Sequence, residues 1–346
     1  MTMLKVGIIN VTGYSGMELA RILSGHPEVK IVSVTGRSAV GKKVNEILPH
    51  LHDIDLTIEP EISGSLDFVF SALPNVFSAE ALKSVISSGI KCIDIAADFR
   101  LNDLKVYEKW YNSKHPCPEF LKDSVYGLPE LYRSDISKSN LVANPGCYPT
   151  ASILGLAPAL EAKIISSDIL IDAKSGVSGA GRGLSLKTHF DEVDESVSAY
   201  GLDGHRHMPE IKQELSLISN KNVSVTFVPH LIPMNRGILA TIYAPLSESF
   251  KEKNTNLSSS VQTIYKNYYQ KEPFVNVQDS PPATKHTLGS NYCHIYPTVD
   301  YNEDKLLVIS CIDNLVKGAA GQAIQNMNIM CGIPENLGLT NMAIYP

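Results

Sequence analysis

The chain has 346 residues, 44% of them hydrophobic, which is enough for two domains or one large α/β domain with an apolar core. Its formal net charge of -6 argues against nucleic acid or an anionic membrane surface as the main partner. The sequence shows neither an apolar run long enough to cross a bilayer nor a signal-peptide pattern, so we expect a cytoplasmic protein. The six cysteines form no C-x-x-C pair and no metal-ligand spacing, so we expect neither a metal site nor a disulfide framework.

Short apolar strands alternate with helical segments through the first hundred residues, from KVGIIN at 5–10 to KCIDIAA at 91–97. That order predicts an α/β fold that begins with a Rossmann-type parallel sheet domain. The late segment VKGAAGQAIQNMNIMCG, at 316–332, has a small-residue helical pattern suited to close packing. We therefore expect residues 1–147 and 316–346 to form this Rossmann-type domain together.

The loop NVTGYSG, at 10–16, separates the first strand from the first helix and has the spacing of a phosphate-binding turn. Gly13 and Gly16 would let the backbone approach a pyrophosphate at the N-terminus of the helix, although a plain tight turn is the alternative. The residues of this turn expected to bind the cofactor are Thr12, Gly13, Tyr14, Ser15 and Gly16.

The segment TGRSAVGKK, at 35–43, follows the second strand and lacks the acidic residue typical of sites that prefer NAD. Arg37 and Ser38, with Lys42 or Lys43, instead favour the 2′-phosphate of NADP. A later strand ends in SALPN, and its carboxyl end is where open α/β sheets bind ligands. The residues expected to face the cofactor there are Ser71, Leu73 and Pro74.

The second half changes character, with longer β-rich segments such as VSVTFVPHL at 223–231 and GILATIYAPL at 237–246. These predict an α+β domain with a mixed sheet over residues 148–315, which covers the substrate and a partner subunit.

Cys147 lies in ANPGCYPTAS, at 143–152, where Pro149 suits the first position of a helix with an apolar face. The thiol would then lie at a helix N-terminus, whose dipole favours the nucleophilic thiolate. One exposed dipole is too weak to ionise the thiol by itself, so a second group is needed. A buried structural thiol is the alternative.

Three further segments could complete a site around this cysteine. AKSGVSGAGRG, at 173–183, offers backbone N–H groups and cations to an anion, or is a flexible surface loop. In GHRHMPEI, at 204–211, His205 and His207 precede a predicted helix and could provide a neutral base, with Arg206 or Glu210 orienting it, or are solvated side chains. Arg236, in VPHLIPMNRGIL, could bind a carboxylate bidentately or cap a strand.

Taken together, these motifs resemble the N-acetyl-γ-glutamyl-phosphate reductases, relatives of aspartate-semialdehyde dehydrogenase. The resemblance runs in order from residue 4 to about residue 334 and rests on GYSGMEL, ADFRL, VYGLPEL, NPGCYPT, SGVSGAGR, HRHMPEI, VPHLIPMNRGI and DNLVKGAAGQA. It implies an NADPH-dependent reduction of an acyl phosphate to an aldehyde through a cysteine thioester. Cys147 matches the nucleophile and the histidine pair matches the acid/base position, with His205 favoured over His207.

The resemblance also implies a homodimer or homotetramer and further site residues. The substrate residues expected are Arg100, Asn144, Ser175, Gly176, Arg182, Arg206, Glu210 and Arg236. The additional cofactor residues expected are Ser178, Gly179 and Asn314. The family's phosphate turn usually begins with a glycine where this chain has Asn10, a residue type that tolerates left-handed backbone angles.

Three other functions remain open at this point. A sister reductase would act on N-acetyl-aminoadipyl phosphate, or on a carrier-linked substrate, and differs by a single methylene that one sequence does not resolve. A cysteine hydrolase would form product without nicotinamide turnover. A nucleotide sensor would tolerate replacement of Cys147.

Overall fold

The structure is a computed structural model that describes residues 3–300, 302 and 304–346. Within these residues the strands are β1 (Leu4–Ile9), β2 (Val29–Val34), β3 (Phe68–Ser71), β4 (Lys91–Asp94), β5 (Ser124–Tyr126), β6 (Leu141–Ala143), β7 (Asp168–Ser175), β8 (Ser198–Ala199), β9 (Ser224–Leu231), β10 (Ile238–Pro245), β11 (Val275–Val277), β12 (Cys293–Asp300) and β13 (Lys305–Ile312).

The α-helices over the same residues are α1 (Tyr14–Ser24), α2 (Val44–Ile47), α3 (Phe77–Ser87), α4 (Leu104–Tyr111), α5 (Pro129–Ile136), α6 (Cys147–Glu161), α7 (Phe190–Val193), α8 (Met208–Ser219), α9 (Glu248–Lys253), α10 (Leu257–Tyr269) and α11 (Gly321–Met330). No helix among the described residues is long and apolar enough to span a membrane.

The chain divides into two compact units. The first runs to Gly146 and resumes over Ala319–Asn341, and the second comprises Cys147–Gly318 and Met342–Pro346. The division differs from the expected one at its edges. Cys147 begins α6, which packs on the second unit's sheet, and the Ile344 N–H donates to the Leu288 carbonyl at 2.8 Å, which ties the last residues to the second unit.

The first unit is built on a parallel six-stranded sheet in the order β2-β1-β3-β4-β6-β5. Its central strands are buried on both faces; all four residues of β3, for example, are buried. The chain adds β2 on one side of β1 and then β3 on the other side, so the strand order reverses at β1. The loop after β1 therefore lies at the point where sheets of this kind bind ligands. The predicted Rossmann-type domain is confirmed.

Helix α11 completes the first unit from the far end of the chain. Nine of its ten residues are buried, and it packs against α1, α5 and β4. Its polar side chains are paired with main-chain groups: Gln322 and Asn326 both donate to the Gly127 carbonyl, at 3.1 and 2.8 Å. The small residues of this segment permit the close approach that the pattern predicts.

The second unit contains a mixed seven-stranded sheet in the order β11-β12-β13-β10-β7-β9-β8. Only the β11–β12 and β7–β9 pairs are parallel. Helices α6, α8 and α10 pack on one face of this sheet. The α/β fold class with a second, mixed-sheet domain is therefore confirmed.

Helix α6 is buried all round, with thirteen of its fifteen residues inaccessible to solvent. Pro158 lies inside it and lacks the N–H that would donate to the Leu154 carbonyl four residues earlier. The Tyr269 hydroxyl donates to that carbonyl instead, at 2.5 Å. This contact explains how a proline is accommodated within a core helix.

Candidate active site

The first loop of the parallel sheet has the geometry of a phosphate-binding turn. Gly13 caps the N-terminus of α1, and a side chain at Gly16 would overlap the main-chain oxygen of Asn10 and lie 2.9 Å from the Val11 Cα. Only glycine fits at position 16, which leaves the backbone of the first helical turn open to an anionic group. The predicted residues Thr12, Gly13, Tyr14, Ser15 and Gly16 make up the loop and first turn at this helix N-terminus.

Asn10 replaces the usual glycine without disrupting the turn. It adopts a left-handed conformation with φ of 66°. Its N–H donates to Thr35 Oγ1 at 3.1 Å, its Nδ2 donates to the Ala72 carbonyl at 2.8 Å, and its Oδ1 accepts from Thr12 Oγ1 at 3.2 Å. Through its main chain and its side chain, Asn10 thus joins the loops that follow β1, β2 and β3.

The loop after β2 presents a cation beside this turn. Arg37 and Ser38 are exposed, and the Arg37 guanidinium carbon lies 4.5 Å from the centre of the Phe77 ring. Lys43 forms an ion pair with Asp55 at 2.8 Å, so its charge is already compensated. Of the three predicted cations, Lys43 is thus the least suited to a 2′-phosphate, which leaves Arg37 and the exposed Lys42.

The residues after β3 differ in part from expectation. Ser71 is fully buried and accepts a hydrogen bond from the Ser78 hydroxyl at 2.7 Å, so its side chain does not face a ligand. Leu73 is half-buried and Pro74 is exposed, which leaves both available at the sheet edge.

Arg100 and Asn144, predicted to bind substrate, are committed to the interior of the first unit. Arg100 donates from Nε to the Asn144 carbonyl and from Nη2 to the Ile95 carbonyl, both at 2.7 Å. Asn144 is fully buried and its Nδ2 donates to the Ala319 carbonyl at 3.1 Å. Buried polar groups must find partners, and these hydrogen bonds fix both side chains in the first unit, where they stay predicted substrate residues.

Cys147 occupies the first residue of α6 and is only half-buried. The helix starts two residues before the predicted Pro149, which brings the thiol into the first turn. A methyl group at Gly318 would lie 2.7 Å from the Cys147 Cβ, so this glycine permits the close packing of the nucleophile.

None of the other five thiols begins a helix, and burial affects each of them. Burial raises the pKa of Cys92, Cys117 and Cys311, and raises that of Cys331 to about 11. Cys293 is fully buried. A buried thiol stays protonated and inert, so Cys147 is the cysteine best suited to nucleophilic chemistry.

Both histidines of the HRH motif pack against Tyr148, the residue that follows the nucleophile. The Tyr148 ring centre lies 5.7 Å from that of His205 and 5.9 Å from that of His207, each in an edge-on contact. The two imidazoles are 4.9 Å apart. The structure therefore brings the predicted histidines to the start of α6.

The environment of His205 keeps its imidazole neutral. Burial, and then the nearby Arg206 charge, lower the pKa of His205 to about 4. The His207 N–H donates to His205 Nδ1 at 3.1 Å. Since Nδ1 is an acceptor, the neutral ring carries its proton on Nε2 and presents a donor there.

Tyr200 is a member of this cluster that sequence reasoning missed. Its hydroxyl donates to the Tyr148 hydroxyl at 3.1 Å, and Tyr148 in turn donates to the His230 carbonyl at 3.3 Å. Burial raises the pKa of both phenols, that of Tyr200 to about 12. Tyr200 follows the short edge strand β8 and belongs to no motif, so the sequence does not mark it as a site residue. Tyr148, in contrast, could have been identified as one because it follows Cys147 directly.

The glycine-rich segment 175–182 is not the amide-lined anion cradle that was expected. The N–H groups of Gly176, Val177 and Ser178 donate to the carbonyls of Gly237, Met234 and Asn235. These bonds, of 2.9 to 3.1 Å, consume the donors that a phosphate would need.

Side-chain hydrogen bonds also hold this segment in place. The Asn314 Nδ2 donates to Ser178 Oγ at 2.9 Å, and its Oδ1 accepts the Gly237 N–H at 2.7 Å. Ser178, Gly179 and Asn314, predicted to bind cofactor, thus lie together in the second unit. Ser175 is buried and donates to the Gly176 carbonyl, while Gly176 packs directly on the Asn235 carbonyl.

The remaining charged residues of the second unit have contrasting environments. Arg236 forms an ion pair with the fully buried Asp313, with Arg236 Nε 3.1 Å from Asp313 Oδ2. This buried carboxylate fixes the orientation of the Arg236 side chain. Arg182 and Arg206 are exposed, and Glu210 is buried at the start of α8. Among the described residues, no group of three or more His, Cys, Asp or Glu side chains could hold a metal ion.

Comparison with family models places the chain among semialdehyde dehydrogenases. Residues 5–139 match the model described as "Semialdehyde dehydrogenase, NAD binding domain", and residues 147–314 match "Semialdehyde dehydrogenase, dimerisation domain".

The chain is similar over its whole length to proteins named N-acetyl-gamma-glutamyl-phosphate reductase. An N-acetyl-gamma-glutamyl-phosphate reductase of Dehalococcoides mccartyi is 52% identical over 343 residues, which is 99% of each chain. The protein of the same name from Pelotomaculum thermopropionicum is 50% identical over 350 residues, again 99% of each chain.

Solved structures show the same fold at low identity. Aspartate semialdehyde dehydrogenase II from Vibrio cholerae, complexed with ASA, superposes with a TM-score of 0.70 at 14% identity, covering 96% of this chain and 99% of that one. The Candida albicans enzyme solved with NADP gives 0.70 at 17% identity, covering 97% and 100%.

Proposed function

The chain belongs to the N-acetyl-gamma-glutamyl-phosphate reductases, and on that premise we propose that it reduces N-acetyl-glutamyl 5-phosphate to N-acetyl-glutamate 5-semialdehyde and phosphate with NADPH. This reaction is a step of arginine biosynthesis. The observation that carries the proposal is Cys147 on the first residue of α6, followed by Tyr148, whose ring contacts both histidines. The names of the relatives do not favour the aminoadipyl alternative.

Cys147 is assigned the nucleophile. Its thiolate, favoured by the N-terminus of α6, attacks the acyl carbon of the substrate. A sulfur–carbon bond forms, the bond from that carbon to the phosphate oxygen breaks, and phosphate leaves a thioester on Cys147. NADPH, held by the residues named below, would supply the hydride that the thioester carbon needs to reach the aldehyde oxidation level. Cleavage of the carbon–sulfur bond then releases the aldehyde and restores the thiolate.

His205 is assigned as a hydrogen-bond donor through Nε2. The bond from the His207 N–H to Nδ1 fixes the neutral tautomer with the proton on Nε2. Such a donor stabilises the negative oxygen of the tetrahedral intermediates before and after the thioester. His205 is also the favoured candidate to exchange a proton with the departing phosphate, and His207, whose ring centre lies 4.9 Å from that of His205, is the other candidate.

The residues present fit the cofactor. The turn of Gly13 and Gly16 at the N-terminus of α1 suits a pyrophosphate, and exposed Arg37 suits a 2′-phosphate. In the second unit, Arg206 and Arg236 remain the candidates for the substrate carboxylate, and Arg182 for its phosphate.

The test follows NADPH formation at 340 nm in the reverse direction, with NADP, phosphate and N-acetyl-glutamate 5-semialdehyde, because acyl phosphates are labile. We expect phosphate-dependent turnover that Cys147→Ser abolishes. Cys331→Ser, a half-buried thiol of the first unit, is the matched control and should retain activity.

The alternatives give different results in the same assay. Turnover of the one-methylene-longer semialdehyde alone would identify the aminoadipyl enzyme. Hydrolysis of the acyl phosphate without nicotinamide turnover would identify a hydrolase. NADPH binding without turnover of any substrate, unchanged in Cys147→Ser, would identify a sensor and refute the reductase.

We further propose that the chain forms a homodimer through the open face of the second unit's sheet, a dimer that could pair into a tetramer. Leu170 of β7 and Tyr243 of β10 pair in register and are 41% and 39% exposed on that face, opposite the helices. Sedimentation equilibrium should give a dimer or larger, and Leu170→Asp should give a monomer. We place the enzyme in the cytoplasm, where NADPH-dependent biosynthesis occurs.

A further inference from the structure

We infer that Phe77 is a positioning residue that holds Arg37 for the 2′-phosphate and so helps the enzyme to distinguish NADPH from NADH. The inference rests on the proposed cofactor site. It concerns two loops of the first unit, those that follow β2 and β3. These strands flank β1 on either side, so both loops emerge beside the phosphate turn.

The Arg37 side chain contacts the ring of Phe77. Its guanidinium carbon lies 4.5 Å from the centre of the Phe77 ring, well within the range of a cation–π contact. Across the part of the chain that the structure describes, no carboxylate pairs with Arg37 and no acceptor takes a hydrogen bond from it. The ring therefore restrains the guanidinium while its N–H donors stay available for an anion.

Arg37 is also placed close to the phosphate turn. A Cβ at Gly36, the residue before Arg37, would lie 2.9 Å from Thr12 Cγ2. The backbone just before Arg37 therefore packs directly on the phosphate turn that contains Thr12. A phosphate bound by Arg37 would thus lie near the pyrophosphate-binding residues, as the 2′-phosphate of NADP requires.

The position of Phe77 is enforced by a strained backbone. Val76, its predecessor, has φ of 72° and ψ of -52°, which is rare for a β-branched residue. The Asp98 carboxylate accepts the Val76 N–H at 2.8 Å and the Ala79 N–H at 2.9 Å, and Asn75 Oδ1 accepts the Ala97 N–H. Such strain persists only where the surroundings impose it.

The strained turn leaves a large aromatic side chain at the surface. Phe77 is 43% exposed, although burial would favour a phenylalanine side chain. Its contact with Arg37 accounts for that exposure. An aliphatic side chain of similar size could cover Arg37 but has no negative ring face to attract the cation.

The test measures ligand binding by calorimetry and does not depend on turnover. The probes are adenosine 2′,5′-bisphosphate and adenosine 5′-monophosphate, which differ by the 2′-phosphate. Phe77→Leu should weaken binding of the bisphosphate about two- to fivefold and leave that of the monophosphate unchanged. Phe77→Tyr, which keeps the ring, should bind both as the parent does.

Three results would overturn the inference: bisphosphate binding unaffected by Phe77→Leu, equal weakening of both probes, or Phe77→Tyr behaving like Phe77→Leu. Adding Phe77→Leu to Arg37→Ala should cause no further loss, because the ring acts through the arginine. If Arg37→Ala itself leaves the preference for the bisphosphate intact, the proposed cofactor site fails. If Arg37→Ala removes it but Phe77→Leu does not reduce it, only the role of Phe77 fails.

Discussion

A methyl group added at Gly318 should displace the nucleophile. In Gly318→Ala the new Cβ would lie 2.7 Å from the Cys147 Cβ, 3.2 Å from its Cα and 3.3 Å from Ile312 Cδ1. Ordinary carbon contacts begin near 3.4 Å, so the two segments must separate by about 0.7 Å. Overpacking of this kind costs about 1–3 kcal/mol of stability. A displacement approaching 1 Å at a reacting atom costs roughly 100-fold in rate.

Two measurements check this reasoning. The reverse reaction at 340 nm should show kcat reduced by about 30- to 100-fold, and thermal unfolding should shift down by a few degrees. Gly183→Ala is the matched control because no atom lies within 4 Å of its added Cβ, and it should retain parental activity. If Gly318→Ala keeps kcat within twofold of the parent, the close packing against Cys147 does not position the thiol and the reasoning is wrong.

Three further outcomes are expected. Burial, and then the charge of Asp98, raise the pKa of Asp94 to about 7. Protonated Asp94 therefore contributes to the stability of the folded protein below about pH 4, and this contribution is lost as the pH rises to about 7. Asp94→Asn should therefore be more stable than the parent above pH 7 in urea unfolding, and a constant difference between pH 4 and 8 would contradict this. Asp313→Asn should cost about 3–5 kcal/mol of unfolding free energy because it removes the buried negative charge that pairs with the Arg236 cation. If combining Asp313→Asn with Arg236→Met does not recover stability, loss of this ion pair does not cause the destabilisation. Tyr269→Phe should cost about 1–3 kcal/mol by leaving the Leu154 carbonyl unsatisfied, while a change below 0.5 kcal/mol would show that another group satisfies it.

Local patterns predicted much of the first unit. Strand–helix alternation, the glycine spacing at 13 and 16, and the tolerance of Asn10 for left-handed angles depend on neighbouring residues, so they are readable from the chain. The position of Cys147 in the first turn of a helix is also a local property, and the structure differs from that prediction only in starting the helix two residues earlier.

The errors arose where a residue's partner is distant in sequence. The amides of 176–178 were predicted to hold an anion, but the turn at 234–237, almost sixty residues later, takes them. The hydrogen bond from Arg100, a predicted substrate residue, to the Asn144 carbonyl is likewise not visible in any motif. Tyr200 was missed for the same reason: its hydroxyl meets Tyr148 across a gap of 52 residues.

The return of α11 to the first unit has a consequence for synthesis on the ribosome. The sheet of this unit is complete once residue 143 has been translated, yet the surface that α11 covers stays exposed until about 190 further residues have followed. The second unit lies almost entirely within that interval and can fold as it emerges. The nascent first unit must therefore carry an uncovered apolar face through most of elongation. It is the part of this protein on which a chaperone that binds near the exit tunnel would act longest.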